Sequence, residues 1–338
     1  MACDRAATGT PQPSRAGGGR HPAIVLSVAV ALLVAGCATL PPLAPPREEG
    51  WYGVLPADEG AYLSLAVGPN RTLVKQLLSE SGVSQGAIQE VIDRTGRVLW
   101  SVGSDAVAHP GAQPRFAAVA TGSYPKGLVD LRLGASGQWV RVAAPASENA
   151  GGKGPVTWWW QNRTDPLQLV LASRTIAFFS NGGMAGIVAR LTGPASHAVP
   201  QAVRERLDAA DLALYVPHPE NLLAASASFV ENVPVVGFVV TLNRAAGTTT
   251  ASDWEATGYV TMRSPRDARV FAVALKLLIA SQGMGESAFS GIPLPIEEAR
   301  VAVNGPTIVL SNMRIGRDRL GALLAGFVNK MGLAGVAS

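Results

Sequence analysis

The chain has 338 residues, of which 48% are hydrophobic and 15% are charged, and its formal net charge is +4. A chain of this length and composition can bury a large core, as one large domain or two smaller ones. No cluster of Lys and Arg interleaves with aromatic residues, so the pattern argues against a nucleic-acid partner.

The first segment is organised like a secretory signal. Arg15, Arg20 and His21 precede an apolar run over residues 23–35. The run fits the roughly 7–15 residues of a signal's apolar region and is shorter than the ~20 that a membrane-spanning helix needs. The sequence therefore predicts a signal peptide over residues 1–36.

The apolar run ends in Leu-Val-Ala-Gly-Cys, with the cysteine at position 37. This ending resembles the lipobox of bacterial lipoproteins. The resemblance implies that Cys37 carries a diacylglycerol, that the signal is cut before it, and that the new N-terminus takes a further fatty acid such as palmitate. The only other cysteine, Cys3, leaves with the signal. Lipidation thus explains a cysteine without a disulfide partner in an oxidising compartment.

The same resemblance predicts a location. Position 38 is Ala rather than Asp, and in lipoproteins of double-membrane bacteria this pattern goes with sorting to the outer membrane. A membrane held through lipid is therefore an expected partner, since two or more acyl chains anchor a protein durably. The residues leave open whether the protein faces the periplasm or the outside.

Residues 37–49 are interpreted as a lipidated, proline-rich tether. They contain Pro41, Pro42, Pro45 and Pro46, and such stretches favour extended polyproline II at roughly 3.1 Å per residue. Core-like composition begins at Trp51. The mature chain keeps 25 basic and 23 acidic residues, so it is close to neutral.

An internal repeat organises the mature chain, with a first copy over residues 50–195 and a second over 196–338. Residues 175–181, preceded by an apolar run at 167–171, match residues 307–312, preceded by a run at 299–303 and the turn Asn304-Gly305. Upstream, predicted strands at 115–121 and 254–262 each lead into a helix, and predicted strands at 51–56 and 212–217 each end at a proline. Short turns pair strands antiparallel. We therefore predict an α+β fold, a duplicated unit of antiparallel sheet with helices packed on one face.

Two predicted helix starts combine a Ser with a Pro in the first turn, at Ser123-Tyr124-Pro125 and at Ser264-Pro265. Ser123 and Ser264 are predicted caps, because a Ser oxygen accepts a free amide of the first turn and Pro lacks one. The second helix contains the run 270–280, which is apolar nearly all round and predicts burial on most sides, with Lys276 directed outward. The alternative is a helix that faces an apolar cavity or a partner protein.

No catalytic constellation stands out. Ser123 and Lys126 have the Ser-x-x-Lys spacing of penicillin-binding proteins, but the companion Ser-Asp-Asn and Lys-Thr-Gly motifs are missing. The histidines left after cleavage lie in turn-like sequence without metal-ligand spacing, so no metal site and no cofactor is expected. Paired carboxylates at 58–59 and 297–298 are adjacent in the chain and tend to point apart.

The tryptophans are the candidate binding residues: Trp139, Trp158, Trp159 and Trp160. On a strand, Trp158 and Trp160 share one face and Trp159 points to the other. If only one face packs on the core, at least one tryptophan is exposed and can stack on a sugar ring, an apolar ligand or a partner. The competing interpretation is that helices, a loop or the second repeat cover both faces.

The layout of the mature domain loosely resembles that of uncharacterised spirochaete lipoproteins, without a functional motif to carry over. The first hypothesis for its function is a membrane-anchored envelope lipoprotein that is not an enzyme and acts as a scaffold or partner-binding module. The second is a carrier of an apolar or lipid ligand. The third and weakest is an enzyme whose site the sequence does not reveal.

Overall fold

A computed structural model describes residues 50–56, 59–80, 85–103, 115–144, 156–193, 199–219, 234–245, 253–282, 299–316 and 320–321. The predicted signal, the tether and Cys37 lie outside these residues. So do His109, His197 and the second carboxylate pair at 297–298.

The described strands form one antiparallel sheet of 12 strands. In chain order they are β1 (Glu59–Ala66), β2 (Thr95–Gly103), β3 (Phe116–Gly122), β4 (Trp139–Ala143), β5 (Trp158–Asn162), β6 (Gln168–Leu171), β7 (Ile176–Ser180), β8 (Leu212–Val216), β9 (Val235–Arg244), β10 (Asp253–Met262), β11 (Arg300–Asn304) and β12 (Thr307–Gly316). Their order across the sheet is β11-β12-β10-β9-β8-β1-β2-β3-β7-β6-β5-β4. Every pair is antiparallel.

Helices cover both faces of this sheet, so the expectation that they pack on one face is wrong. They are α1 (Arg71–Glu80), α2 (Gln85–Arg94), α3 (Lys126–Ala135), α4 (Met184–Thr192), α5 (Gln201–Ala209) and α6 (Pro265–Gln282), with a 3-10 helix at Gly50–Val54. Successive strand residues point to opposite faces of the sheet. The strand residues in each core cluster therefore show which face the helices of that cluster cover. Helices α1, α2, α3 and α6 lie on one face, called the front. The 3-10 helix, α4 and α5 lie on the other, called the back.

The strand order is similar on the two sides of its central pair. Outward from the central β1–β8 pair, one side runs β2, β3, β7, β6 and the other runs β9, β10, β12, β11. Helix α3 follows β3 as α6 follows β10. The first half adds the hairpin β4–β5 at its edge. The predicted class, α+β with an antiparallel sheet, is confirmed, and the repeat boundaries at 50–195 and 196–338 stay a prediction.

One predicted strand is wrong. Residues 51–56 were expected to form a strand like the one at 212–217, but residues 50–54 form the 3-10 helix. Its Tyr52 and Val54 are buried in the back-face core, and the Arg190 Nε–H of α4 donates to the Val54 carbonyl at 2.8 Å. The strand that pairs with β8 is β1. The short apolar run therefore packs on the back face and does not join the sheet.

Candidate functional site on the outer face of helix α6

Helix α6 begins where the sequence predicts. The Ser264 Oγ accepts a hydrogen bond from the Asp267 backbone N–H at 3.1 Å and donates one to the Asp267 Oδ2 at 2.7 Å. The Ala268 N–H donates to the Ser264 carbonyl at 3.1 Å. Ser264 is thus the cap, and Pro265 occupies the first helical position, where its missing N–H costs nothing.

The inner side of α6 is apolar, and its two fully buried residues are small. Ala268 and Ala272 are buried, and Phe271 and Leu275 pack beside them against the front face of the sheet. The strand residues that they meet include Val260, Met262 and Ile308. The small side chains let the helix lie close to the strands. The inner side of α6 alone therefore supplies the helix's packing against the front face of the sheet.

The outer side of α6 corrects the expectation of burial on most sides. Val270, Val273 and Leu277 are exposed, with relative accessibilities of 66%, 58% and 67%. These three residues, called the α6 stripe, recur at helical spacing and so share one side of the helix. The reason for the difference is position: α6 lies over β10, β12 and β11 at one end of the sheet order, and only its inner side meets strands.

Cations border the stripe. Arg266, Arg269 and Lys276 are all exposed, and Lys276 points outward as predicted. Within the described part of the chain, none of the three forms an ion pair. The acidic residue of α6, Asp267, is engaged with Ser264. The outer side therefore combines an apolar stripe with three cations that form no ion pair within the described residues.

The sequence contains a signal for this site that the prediction did not use. The total hydrophobicity of the run 270–280 indicates burial. The spacing of Val270, Val273 and Leu277 beside three cations instead indicates an amphipathic outer side. A helix with one apolar side on the sheet and a second apolar side exposed to solvent has the same composition as a buried helix, so composition does not distinguish the two.

The predicted tryptophan site is largely buried. Trp139 and Trp160 lie in the front-face core with α3, and Trp159 lies in the back-face core. Trp158 is half-buried. The strands place the four side chains on the faces that alternation predicts, and a helix covers each core. No observation assigns a ligand to them, so their binding role stays a prediction.

The chain's own groups occupy the aromatic surfaces. The Arg141 guanidinium carbon lies 4.3 Å from the ring centroid of Trp158 and 4.9 Å from that of Trp160. The Trp158 and Trp160 rings meet edge to face at 5.4 Å, and the Trp160 Nε1–H donates to the Asp130 Oδ1 at 3.0 Å. Cation–π and aromatic contacts of this kind stabilise the β4–β5 hairpin against α3.

The remaining candidates gain no support. Helix α3 begins at Lys126 with Pro125 as its cap residue and no side-chain cap, so the expected cap role of Ser123 is wrong. Ser123 is exposed, and its backbone N–H donates to the Arg94 carbonyl. Among the described residues, no group of three or more His, Cys, Asp or Glu could hold a metal ion.

The titratable groups of the back face are structural in kind. The Tyr52 Oη–H donates to the Asp208 Oδ1 at 2.8 Å, and burial, aided by that carboxylate, raises the pKa of Tyr52 far above its ordinary value. Burial also raises the pKa of Tyr215. Phenols with raised pKa values stay protonated near neutral pH and act as hydrogen-bond donors.

None of the helices in the described ranges is both long and apolar enough to span a bilayer. No protein-family model matches the chain, and no curated protein matches it.

Solved structures of one spirochaete protein do match in fold. Crystal form IV of the treponemal protein TP0453 superposes with a TM-score of 0.54 at 15% identity, covering 85% of this chain and 97% of that one. Crystal form III gives 0.50 at 15% identity, with 86% and 99% covered. Crystal form I gives 0.50 at 16% identity, with 85% and 98% covered. The chain therefore has an α+β fold similar to that of TP0453.

Proposed function

We propose that this protein is a lipid-anchored envelope lipoprotein that is not an enzyme and works as a partner-binding module. Its anchor is the lipid predicted on Cys37, and the membrane is the outer membrane because Ala38 follows the cysteine. The observation that carries the binding role is the α6 stripe. The stripe consists of three adjacent aliphatic side chains, each more than half exposed. Covering them with another molecule would remove apolar surface from water, which is favourable.

The anchor and the stripe support one another. A proline-rich tether of the predicted length holds the domain up to roughly 35 Å from the bilayer. At that distance a partner in the envelope can reach a front-face helix without competition from the lipid anchor itself. Membrane attachment also confines the protein to a surface, which raises its effective concentration for partners held at the same surface.

The proposal is tested by photo-crosslinking of the full-length, lipidated protein in intact bacterial cells. The crosslinking amino acid benzoylphenylalanine replaces Val273 in one variant and Leu131 in its control. Leu131 is 66% exposed on α3, the helix that follows β3 as α6 follows β10, so the two sites match in exposure and setting. We expect a discrete protein adduct from position 273 and none from position 131.

Equal crosslinking at the two positions, or none at either, would contradict the proposal. Native mass spectrometry of the same purified protein gives the second arm. A bound mass in the lipid range that is lost on denaturation would support the carrier hypothesis in place of the partner-binding one. A bare protein mass leaves the crosslinking result as the decisive one.

A further inference from the structure

The outer side of α6 has the spacing of a helix that docks in a groove. Val270, Val273, Ala274 and Leu277 are exposed, and they occupy positions i, i+3, i+4 and i+7. Helices that lie in apolar grooves of other proteins use this set of anchors. Resting on the proposed function, we propose that the partner is a protein that offers α6 an apolar groove with an acidic rim.

The size of the anchors favours a groove over a lipid surface. Helices that lie in a membrane interface carry Trp, Phe or Leu along their apolar side. The exposed anchors of α6 are two Val, one Ala and one Leu, and its aromatic residue, Phe271, packs inward on the sheet. Short, stiff aliphatic side chains fit a shaped pocket with little loss of rotamer freedom.

The cations place the acidic rim on one side of the groove. Arg269 and Lys276 are seven residues apart, which is about two turns, so they lie one above the other along the helix. At about 100° per residue both fall on the Val273 border of the exposed side, and Ala274 lies on the opposite border. Arg266 adds a third charge in the first turn. Partner carboxylates along that border would pair with all three.

A second copy of this chain does not satisfy the same surface. If two copies met through α6, Arg266, Arg269 and Lys276 of one copy would face the same three cations of the other. The carboxylate that α6 offers, Asp267, is held by its own cap residue. Like charges at an interface oppose association, so the occupant is a different protein with acidic residues.

The test extends the crosslinking from position 273 in the full-length, lipidated protein. Arg269→Glu and Lys276→Glu are introduced together, with Arg269→Lys as the matched control that keeps the charge. We expect the double reversal to lower the adduct yield about tenfold or more, because like charges then face each other across the rim. The control keeps most of the yield. Both positions are exposed, so the thermal unfolding midpoint of each variant should stay close to that of the parent.

The crosslinked peptide, identified by mass spectrometry, provides the second readout. We expect it to lie in a groove of the partner flanked by Asp or Glu, and changing those residues to Lys should restore the adduct of the reversed variant. An adduct unaffected by the reversal would overturn the acidic rim but leave the proposed function standing. Binding to vesicles of phosphatidylethanolamine and phosphatidylglycerol, lost in the reversed variant and unaccompanied by a protein adduct, would overturn the groove. Crosslinking no stronger than from position 131 would remove the proposed function itself.

Discussion

At the scale of single residues, one glycine marks a close approach of two backbone segments. Gly122 ends β3, and a Cβ built there would lie 2.0 Å from the Arg94 carbonyl oxygen and 3.0 Å from two further backbone atoms. Backbone at the junction of α2 and β2 cannot move aside as a flexible side chain can. Gly122→Ala should therefore lower the free energy of unfolding by about 2–3 kcal/mol, measured by urea denaturation.

The matched control is Gly127→Ala in α3, where an added Cβ meets nothing within 4 Å. Alanine in a helix should there raise the free energy of unfolding by up to about 1 kcal/mol. If both substitutions had the same small effect, the close approach at Gly122 would be wrong.

A buried phenol predicts how stability responds to alkaline pH. Burial raises the pKa of Tyr124 from 10.0 to about 12, and the Thr95 hydroxyl, whose Oγ1 lies 3.4 Å from the Tyr124 Oη, partly offsets this because it can stabilise the phenolate. Folding then favours the neutral phenol. Its contribution is complete below about pH 10 and is lost as pH rises through about 12, with a slope of at most about 1.4 kcal/mol per pH unit.

Tyr124→Phe should therefore leave urea stability within about 1 kcal/mol at neutral pH and make its decline between about pH 10 and 12 shallower. Tyr52 and Tyr215, whose pKa values are also raised, keep part of the decline in the variant. An unchanged alkaline slope would show that Tyr124 ionises as freely in the folded state as in the unfolded one.

At the scale of elements, Arg97 of β2 holds the end of α5. Its guanidinium donates to the Leu207, Asp208 and Ala210 carbonyls at 3.0, 2.8 and 3.2 Å and to the Ser64 Oγ at 2.7 Å. The last carbonyls of a helix lack intrahelical partners and carry partial negative charge. One cation thus satisfies three of them and joins α5 to the sheet.

Arg97→Met should lower the free energy of unfolding by about 2–3 kcal/mol, because hydrogen bonds from a charged donor are lost at half-buried acceptors. Hydrogen exchange should accelerate first in the last turn of α5. Arg132→Met on the exposed side of α3 serves as control and should change stability by less than about 0.5 kcal/mol. Equal effects of the two would mean that Arg97 is no more than a surface cation.

The elements that could be predicted are those whose ends carry local chemistry. Ser264-Pro265 starts α6, and Asn304-Gly305 makes the β11–β12 turn with Gly305 at φ +57°, a conformation that glycine adopts without strain. The exposed side of α6 could not be predicted from hydrophobicity, because Val270 and Val273 are equally hydrophobic whether strands cover them or not. The 3-10 helix at 50–54 was missed for a similar reason, since a short apolar run does not specify its own backbone.

At the scale of the whole molecule, the sequence pattern predicted two copies but not how they join. The joint is the β1–β8 pair, with Tyr62 opposite Tyr215 in the register and their rings stacked at 6.0 Å. Asp211 adds to it, because its carbonyl accepts from the Ala66 N–H and the Asn70 side chain, each at 2.8 Å. Pairing between distant strands depends on which edges meet in space, and a repeat pattern within each copy carries no information about that.

The β1–β8 pair predicts that the two predicted copies, residues 50–195 and 196–338, unfold together. The back-face core draws on both segments, with Phe178 and Ile187 from residues 50–195 and Leu207 and Val239 from residues 196–338. A separated copy would expose an unpaired central strand and one side of this core. It would lose the free energy of apolar burial, and its open strand edge would promote aggregation. In urea, hydrogen exchange of β7 and of β12 should therefore lose protection at the same concentration, and residues 50–195 or 196–338 expressed alone should show no cooperative transition. A copy that folds cooperatively by itself, or two separate midpoints in the intact chain, would mean that the β1–β8 pair joins two independent domains.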